Sequence, residues 1–158
     1  MTDSQAKQLV LDTDAVAPVP FEIPGASGGT FRIQLLNQDQ AAGVVTTIVH
    51  MPPQSRIPAH LHRAGAEMHY LLEGDLQEAG RDVAPGSFLT HAAGVVHGPH
   101  ESRGGARLLT VQQWQSSGGG FDFHPADQPA EARPASAALP PDPMATPEGQ
   151  ADTEAPSG

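Results

Sequence analysis

The chain has 158 residues and a formal net charge of −10, with only 4% aromatic and 16% charged residues. One domain is the expectation for this length. The absence of cysteine excludes a disulfide framework and a thiolate metal site, so any metal must be bound by histidine nitrogens and carboxylate oxygens. The 17 Gly and 16 Pro residues interrupt long helices and favour short strands joined by turns.

The negative charge is concentrated in residues 124–158, which carry six acidic residues and one basic residue. The remainder is closer to neutral and lacks the basic stripe that a nucleic-acid-binding protein needs. No apolar run approaches the ~20 residues of a membrane span. The N-terminal sequence MTDSQAKQLV lacks the basic and apolar regions of a secretory signal. We therefore expect a cytoplasmic protein that binds neither nucleic acid nor membranes.

In chain order, the sequence predicts an N-terminal arm over 1–19, a β-barrel over 20–123 and a disordered tail over 124–158. In the arm, LVL at 9–11 either pairs as an edge strand or packs across the barrel. The tail contains eight Pro and almost no large apolar residues, so it cannot bury enough surface to offset its ordering entropy. The predicted strands cover residues 31–36, 44–50, 59–62, 67–73, 76–79, 81–83, 87–90, 95–100 and 107–114. Their regular spacing between Gly and Pro residues indicates an antiparallel sandwich or barrel.

Candidate metal ligands lie in the segment PAHLHRAGAEMHYLLEG, residues 58–74. His60 and His62 are two residues apart, and side chains at i and i+2 face the same side of a strand. Glu67 opens the next strand, so a hairpin can place its carboxylate opposite the two rings. His97 lies about thirty residues further on, after a glycine turn, and can enter the barrel from another strand. The pattern predicts that these four side chains meet at one ion.

Three imidazoles and one carboxylate leave two positions of an octahedral ion open, and this donor set suits Fe(II), Mn(II), Ni(II) or Zn(II). The alternative interpretation treats these residues as scattered surface or core histidines, because HxH alone often arises by chance. HxH followed by Glu, then Gly, then Gly-x-x-His at the right distance is a more specific pattern. It favours a single metal centre.

These residues resemble the cupin superfamily, whose two motifs are G-x5-H-x-H-x3/4-E-x6-G and G-x5-P-x-G-x2-H-x3-N. The motifs match here at Gln54, His60, His62, Glu67 and Gly74, and at Gly86, Ala92, Gly94, His97 and Glu101. Gln54 replaces a Gly, Ala92 replaces a Pro and Glu101 replaces an Asn, but none of these positions is a ligand in the family. The resemblance implies an all-β, antiparallel double-stranded β-helix (jelly-roll) barrel. It also implies one divalent metal ion, bound by His60, His62, Glu67 and His97.

The stretches SGGTFRIQLLNQD and MPPQSRIPAHLH are similar to small cupins related to acetylacetone dioxygenase and 2,4'-dihydroxyacetophenone dioxygenase. Those cupins resemble in turn the metal-binding half of certain anti-sigma factors. The similarity implies an Fe(II) dioxygenase that cleaves a small enolisable dicarbonyl or hydroxyketone, and a homodimer, since similar cupins are often dimers. Two alternatives stay open: a non-catalytic sensor that binds a metal or small ligand, and a metal-assisted isomerase or lyase of a sugar or keto acid.

Other histidines are ranked by strand parity. His69 is two residues after the glutamate and should face the cavity, where it is either a proton-transferring catalytic residue or a packed histidine. His50 is expected at the mouth of the pocket. Counting from His97, His100 should point away from the metal. Glu101 should point with it, either orienting a ligand or lying on the surface.

Overall fold

The computed structural model describes residues 10–39, 41–113 and 120–126. Within these ranges the chain forms one 3-10 turn, Thr13–Ala15, and twelve strands. The strands are β1 (Val19–Pro20), β2 (Arg32–Asp39), β3 (Val44–Met51), β4 (Ser55–Ile57), β5 (His60–Leu61), β6 (Glu67–Gly74), β7 (Leu76–Glu78), β8 (Arg81–Val83), β9 (Phe88–His91), β10 (His100–Ser102), β11 (Ala106–Gln113) and β12 (His124–Pro125). In the same ranges, no helical segment has the length and apolar character required to cross a membrane.

The strands form a large and a small sheet that face each other. The large sheet has six strands in the order β1-β2-β3-β11-β6-β9, and the small one has four in the order β4-β10-β7-β8. A further pair, β12 with β5, lies beside them, and every pairing is antiparallel. Along the chain, β4, β7–β8 and β10 of the small sheet alternate with β6, β9 and β11 of the large sheet. The chain therefore crosses repeatedly from one sheet to the other. This is the predicted jelly roll.

Alternating side chains of the central strands fill the space between the sheets. In β11, Ala106 and Leu108 are buried, whereas the intervening residues are more exposed. In β6, Glu67, His69 and Leu71 are buried by the same two-residue period. The apolar core consists of Phe31, Met51, Ile57, Leu71, Leu76, Ala106 and Leu108. The face that supplies this core therefore also supplies the polar side chains of the candidate site.

One predicted strand, 95–100, is wrong. The strand in this region is β10, which begins only at His100. Gly94 and Gly98 have φ angles of 77° and 78°, in the left-handed region, so the chain turns twice before β10 starts. A two-residue alternation cannot be counted through such turns, and the predicted direction of His100 fails for this reason.

The two ends of the chain differ from the simple arm-and-tail division. Val10 and Leu11 form no strand; instead, Gln34 Nε2 donates to the carbonyls of Thr13 and Val16 at 2.7 Å, which ties the arm to β2. At the other end, β12 pairs with β5, although the sequence assigned residues 124 and 125 to the tail. Residues 1–9 and the predicted tail from 127 onward lie outside the described residues.

Gly74 closes the cupin-like motif at the end of β6, and we expect Gly74→Ala to destabilise the fold by ~2–4 kcal/mol. Its φ is 90°, and a Cβ here would lie 2.1 Å from the carbonyl oxygen of Gly105. The control is Gly80→Ala in the β7–β8 hairpin, with a φ of 78° and nothing within 4 Å of the added Cβ. Urea unfolding should show a loss of only ~1 kcal/mol for the control. Equal losses would mean that the close approach at Gly105 is unimportant.

Candidate metal centre

The structure brings His60, His62, Glu67 and His97 together in the interior. Their ligand atoms lie within 4.8 Å of one another, and all four side chains are buried. His60 lies in β5, and its backbone is joined to that of His97 by reciprocal hydrogen bonds of 3.0 and 2.9 Å. Glu67 opens β6, so its carboxylate faces the two histidines across the loop that follows β5. The placement agrees with the geometry predicted from the sequence.

The outer nitrogens of the three rings are fixed by backbone carbonyls. The Nδ1 atoms of His60, His62 and His97 donate to the carbonyl oxygens of Pro58, Asp122 and Val95, respectively. A carbonyl oxygen only accepts, so the hydrogen-bond network assigns each proton to Nδ1. In a neutral ring, Nε2 then presents a lone pair toward the centre; His97 Nε2 also lies at hydrogen-bond distance, 2.8 Å, from Glu67 Oε2. Three lone pairs facing a carboxylate repel one another unless a cation lies between them, so the residues fit a metal ion.

Two of the three distances from Glu67 Oε2 agree with this interpretation, and the third, to His60, is longer. Glu67 Oε2 lies 2.8 Å from His97 Nε2, 3.3 Å from His62 Nε2 and 3.8 Å from His60 Nε2. Neighbouring ligands with bonds of about 2.1 Å are roughly 3.0 Å apart around an octahedral ion and 3.4 Å apart around a tetrahedral one. His62 Nε2 makes no hydrogen bond among the described residues, despite its short distance to the carboxylate. Its lone pair is available for coordination.

The protonation states also suit metal binding. Burial alone would raise the pKa of Glu67, but the charge of His69 and the close approach of the His60 and His62 rings hold that pKa well below its usual range. Burial lowers the pKa of His60 to about 4. Near neutral pH, the Glu67 carboxylate therefore faces a neutral His60 imidazole, and these are the forms that coordinate a metal. Burial would lower the pKa of His62, but the neighbouring Glu67 carboxylate raises it above the usual value.

Asp122 supports the ligand loop, and the sequence analysis did not identify it. Its fully buried carboxylate accepts from the backbone N–H groups of Arg63 (3.0 and 3.1 Å) and Ala64 (2.7 Å), while its own carbonyl receives His62 Nδ1. Burial would raise the pKa of Asp122, but the two backbone N–H groups bring it below the usual value. The motif FDF gives no indication that its aspartate contacts a loop about sixty residues earlier, next to which the pairing of β12 with β5 places it.

We expect Asp122→Ala to lower metal affinity about 10–100-fold, as is usual when a ligand's supporting partner is lost. The N–H groups of Arg63 and Ala64 would lose their acceptor, and the loop that orients His62 would loosen. Titration with Zn²⁺ against a competing chelator measures the affinity. The control is Asp82→Ala, which removes an exposed carboxylate that accepts a hydrogen bond from Gln77 Nε2. Unchanged Zn²⁺ affinity in the Asp122 variant would contradict a supporting role.

His69 faces the interior, as predicted. Its Nδ1 lies 2.8 Å from Thr110 Oγ1, and its Nε2 lies 3.0 Å from Glu67 Oε2. The predicted direction of His100 is wrong, because this residue points inward and is only 2% exposed. Its Nδ1 contacts the carboxylate of Glu78, a residue that sequence reasoning missed. Counting by two from the buried Leu76 would have placed Glu78 on the inner face.

Glu78 connects two histidines behind the centre. Its carboxylate contacts His100 Nδ1, lies 3.3 Å from His91 Nε2, and accepts the backbone N–H of Gly98 at 2.9 Å. Burial would raise the pKa of Glu78, but its hydrogen bonds with His100 and His91 bring that pKa well below the usual range. Glu78 is therefore an anion next to the candidate metal centre.

Two other predictions concern residues outside the cavity. His50 does not line the pocket mouth: its Nε2 lies 2.7 Å from Gln34 Oε1 on the outer face of the large sheet. Glu101 pairs with Arg56 at 3.3 Å on the surface, as the second of its two interpretations held.

A small apolar cavity adjoins the centre. Its volume is about 50 Å³, and a water needs roughly 10–15 Å³ by this measure, so it accommodates only a few non-hydrogen atoms. Glu67, His60, His69 and His100 form its polar side. Its apolar side includes Phe21, Ile23, Ile33, Val45, Val49, Ile57, Leu108, Phe121 and Phe123. Phe123 also stacks on His60, with ring centroids 4.1 Å apart. A ligand in this cavity would meet the candidate metal ligands at one end and hydrocarbon at the other.

The sequence profile of the ChrR cupin-like domain matches residues 6–123. No curated protein matches the sequence. A structure from Methylibium petroleiphilum PM1, described as a candidate acetylacetone dioxygenase, has a TM-score of 0.63 at 21% identity and covers 77% of this chain and 90% of its own.

Two further solved structures share the fold. An acetylacetone dioxygenase from Acinetobacter johnsonii has a TM-score of 0.59 at 20% identity, over 74% of this chain and 83% of its own. The anti-sigma protein ChrR, in complex with SigE of Rhodobacter sphaeroides, has a TM-score of 0.51 at 20% identity, over 64% of this chain and 51% of the matched one. At these identities the likeness establishes the jelly-roll fold.

Proposed function

This chain belongs to the ChrR cupin-like domain family, and from that premise we propose that it is an Fe(II) dioxygenase that cleaves a small enolisable dicarbonyl or hydroxyketone. The observation that carries the proposal is the direct contact between a candidate metal centre and a small apolar cavity. Metal sites that serve structure alone have closed coordination, whereas catalytic sites keep positions open. Here Glu67 and His60 both line the cavity, so a ligand in it can approach the centre.

In this proposal, His60, His62, Glu67 and His97 hold the ion. Iron, when bound, supplies the redox chemistry with dioxygen that carbon–carbon cleavage requires. The apolar wall excludes water and limits the substrate to a few non-hydrogen atoms. His69 takes the proton that the substrate loses on enolisation, because this residue lines the cavity while Thr110 fixes its Nδ1 and leaves Nε2 to accept the proton.

The second candidate function is a non-catalytic sensor. It is favoured by the family profile, which bears the name of ChrR, and by the similar fold of the ChrR–SigE structure. A sensor would bind a metal or a small ligand without turnover. The cavity described above serves either function, so an assay of reaction chemistry must separate them.

The test is oxygen uptake by the full chain loaded anaerobically with Fe(II), across a panel of short diketones and hydroxyketones. We expect uptake with at least one compound, with carboxylate products identified by mass spectrometry. The Zn²⁺-loaded protein is the redox-inert control. Turnover without oxygen would indicate the isomerase or lyase alternative. Metal-dependent ligand binding without any turnover would overturn the dioxygenase and support the sensor.

A further inference from the structure

We propose that His69 and His100, together with Glu67, form a second and weaker binding site for a divalent cation beside the first. The inference rests on the metal centre of the proposed function and goes beyond it. It concerns two buried histidines that the four-ligand centre does not use. Two imidazoles and one carboxylate are a donor set that suits Fe(II), Co(II), Ni(II) and Zn(II).

The three side chains are close enough to share an ion. The ligand atoms of Glu67, His69 and His100 lie within 4.8 Å of one another, and all three residues are buried. Glu67 Oε2 is 3.0 Å from His69 Nε2 and 2.8 Å from His97 Nε2. This one oxygen therefore borders both sets of ligands.

Both histidines are held in place through Nδ1. His69 Nδ1 lies 2.8 Å from Thr110 Oγ1, and His100 Nδ1 contacts the Glu78 carboxylate. Neither Nε2 atom has a hydrogen-bond partner among the described residues. Metal-bound histidines commonly donate their outer N–H to a carboxylate in this way. A buried polar atom without a partner is costly, and a cation coordinated by both Nε2 atoms removes that cost.

The two sets cannot be one centre. Donors to a single ion with bonds of about 2.1 Å all lie within about 4.2 Å of one another. The ligand atoms here divide instead into two groups, each within 4.8 Å, that share only Glu67. A second ion therefore takes a separate position, on the cavity side, since Glu67, His69 and His100 all line the cavity.

The surrounding charges set the order of affinity. Glu67 faces both positions and the Glu78 carboxylate contacts His100, so the charge of two dications is only partly balanced. The second position has three protein ligands instead of four, and its ion is repelled by the first. It should therefore fill only after the first.

Occupation of the second position has a functional consequence. It takes up His69 Nε2, the atom to which the proposed reaction assigns proton transfer. A second ion should therefore inhibit the reaction by roughly 100-fold or more, the usual contribution of a general base. His69 would accept the proton when only the first position is filled, and it would bind an inhibitory ion when the second is filled too.

The test is Co²⁺ binding to the metal-free full chain, measured by equilibrium dialysis, elemental analysis and visible absorption. We expect two equivalents in the wild type, the second weaker, and one equivalent in His100→Gln. His69→Gln tests the same site if His100→Gln fails to fold, as judged by circular dichroism. The matched control is His50→Gln, on the outer face, which should keep both equivalents.

The outcomes are distinct. One equivalent in the wild type overturns the second site and leaves the proposed function standing. Two equivalents that persist in His100→Gln and His69→Gln place the second ion elsewhere and also overturn it. No bound cobalt would contradict the four-ligand centre itself, and with it the proposed function.

Discussion

Glu67→Gln is expected to lower the affinity for metal more than about 100-fold, a larger effect than the loss of any supporting residue. Glu67 Oε2 contacts the Nε2 atoms of His62, His69 and His97 at 2.8–3.3 Å. The amide is uncharged and cannot balance a dication in a buried site. Elemental analysis of the purified variant should find metal well below that of the wild type.

A thermal-shift series provides the second readout for this variant. Metal at a hundredfold excess over its dissociation constant stabilises the folded state by ~2.7 kcal/mol, so the Tm of the metal-free wild type should rise on metal addition. The Tm of Glu67→Gln should not. Glu101→Gln is the control, because that glutamate pairs with Arg56 on the surface. If Glu67→Gln kept full metal content, the four residues would not be the ligands.

His69→Gln is expected to reduce kcat by roughly 100-fold or more at one equivalent of iron, since positioned general bases usually contribute 10²–10⁴. At that loading the iron should stay bound as in the wild type, because the four-ligand set is intact. Oxygen-electrode assays with matched iron loading measure kcat. The pH dependence of the rate should also change, which loss of packing alone would not cause.

Two further variants test whether the loss of kcat is specific to His69 and its position. Thr110→Val removes the hydroxyl at 2.8 Å from His69 Nδ1 and should give an intermediate loss. His50→Gln, outside the cavity, should have wild-type kcat. An unchanged kcat in His69→Gln would show that the residue is a packed histidine, the alternative that the sequence left open.

The fold was largely predictable because strand periodicity and turn residues are local signals. The pattern VVTTIVH predicted β3, and EMHYLLE followed by Gly-Asp predicted β6 and its turn. The error at 95–100 has a physical cause, since glycines in left-handed conformation reset the alternation on which strand prediction depends. The position of β12 was not predictable, because its partner β5 lies about sixty residues earlier.

The candidate site was predictable where ligands follow a spacing. His60 and His62 share a strand face, and Glu67 opens the next strand, so their meeting follows from local geometry. Asp122 and Glu78 escaped notice because each contacts a residue on a neighbouring strand or loop that is distant in the chain. Long-range contacts of this kind depend on topology, which short motifs do not encode.

The segment 120–126 both lines the cavity and supports a candidate metal ligand. Phe121 and Phe123 wall the cavity, and the carbonyl of Asp122 receives His62 Nδ1. A displacement that admits a ligand past these phenylalanines would also move the carbonyl group that holds the His62 ring. Entry of a ligand through this end of the barrel should therefore weaken the binding of the metal ion.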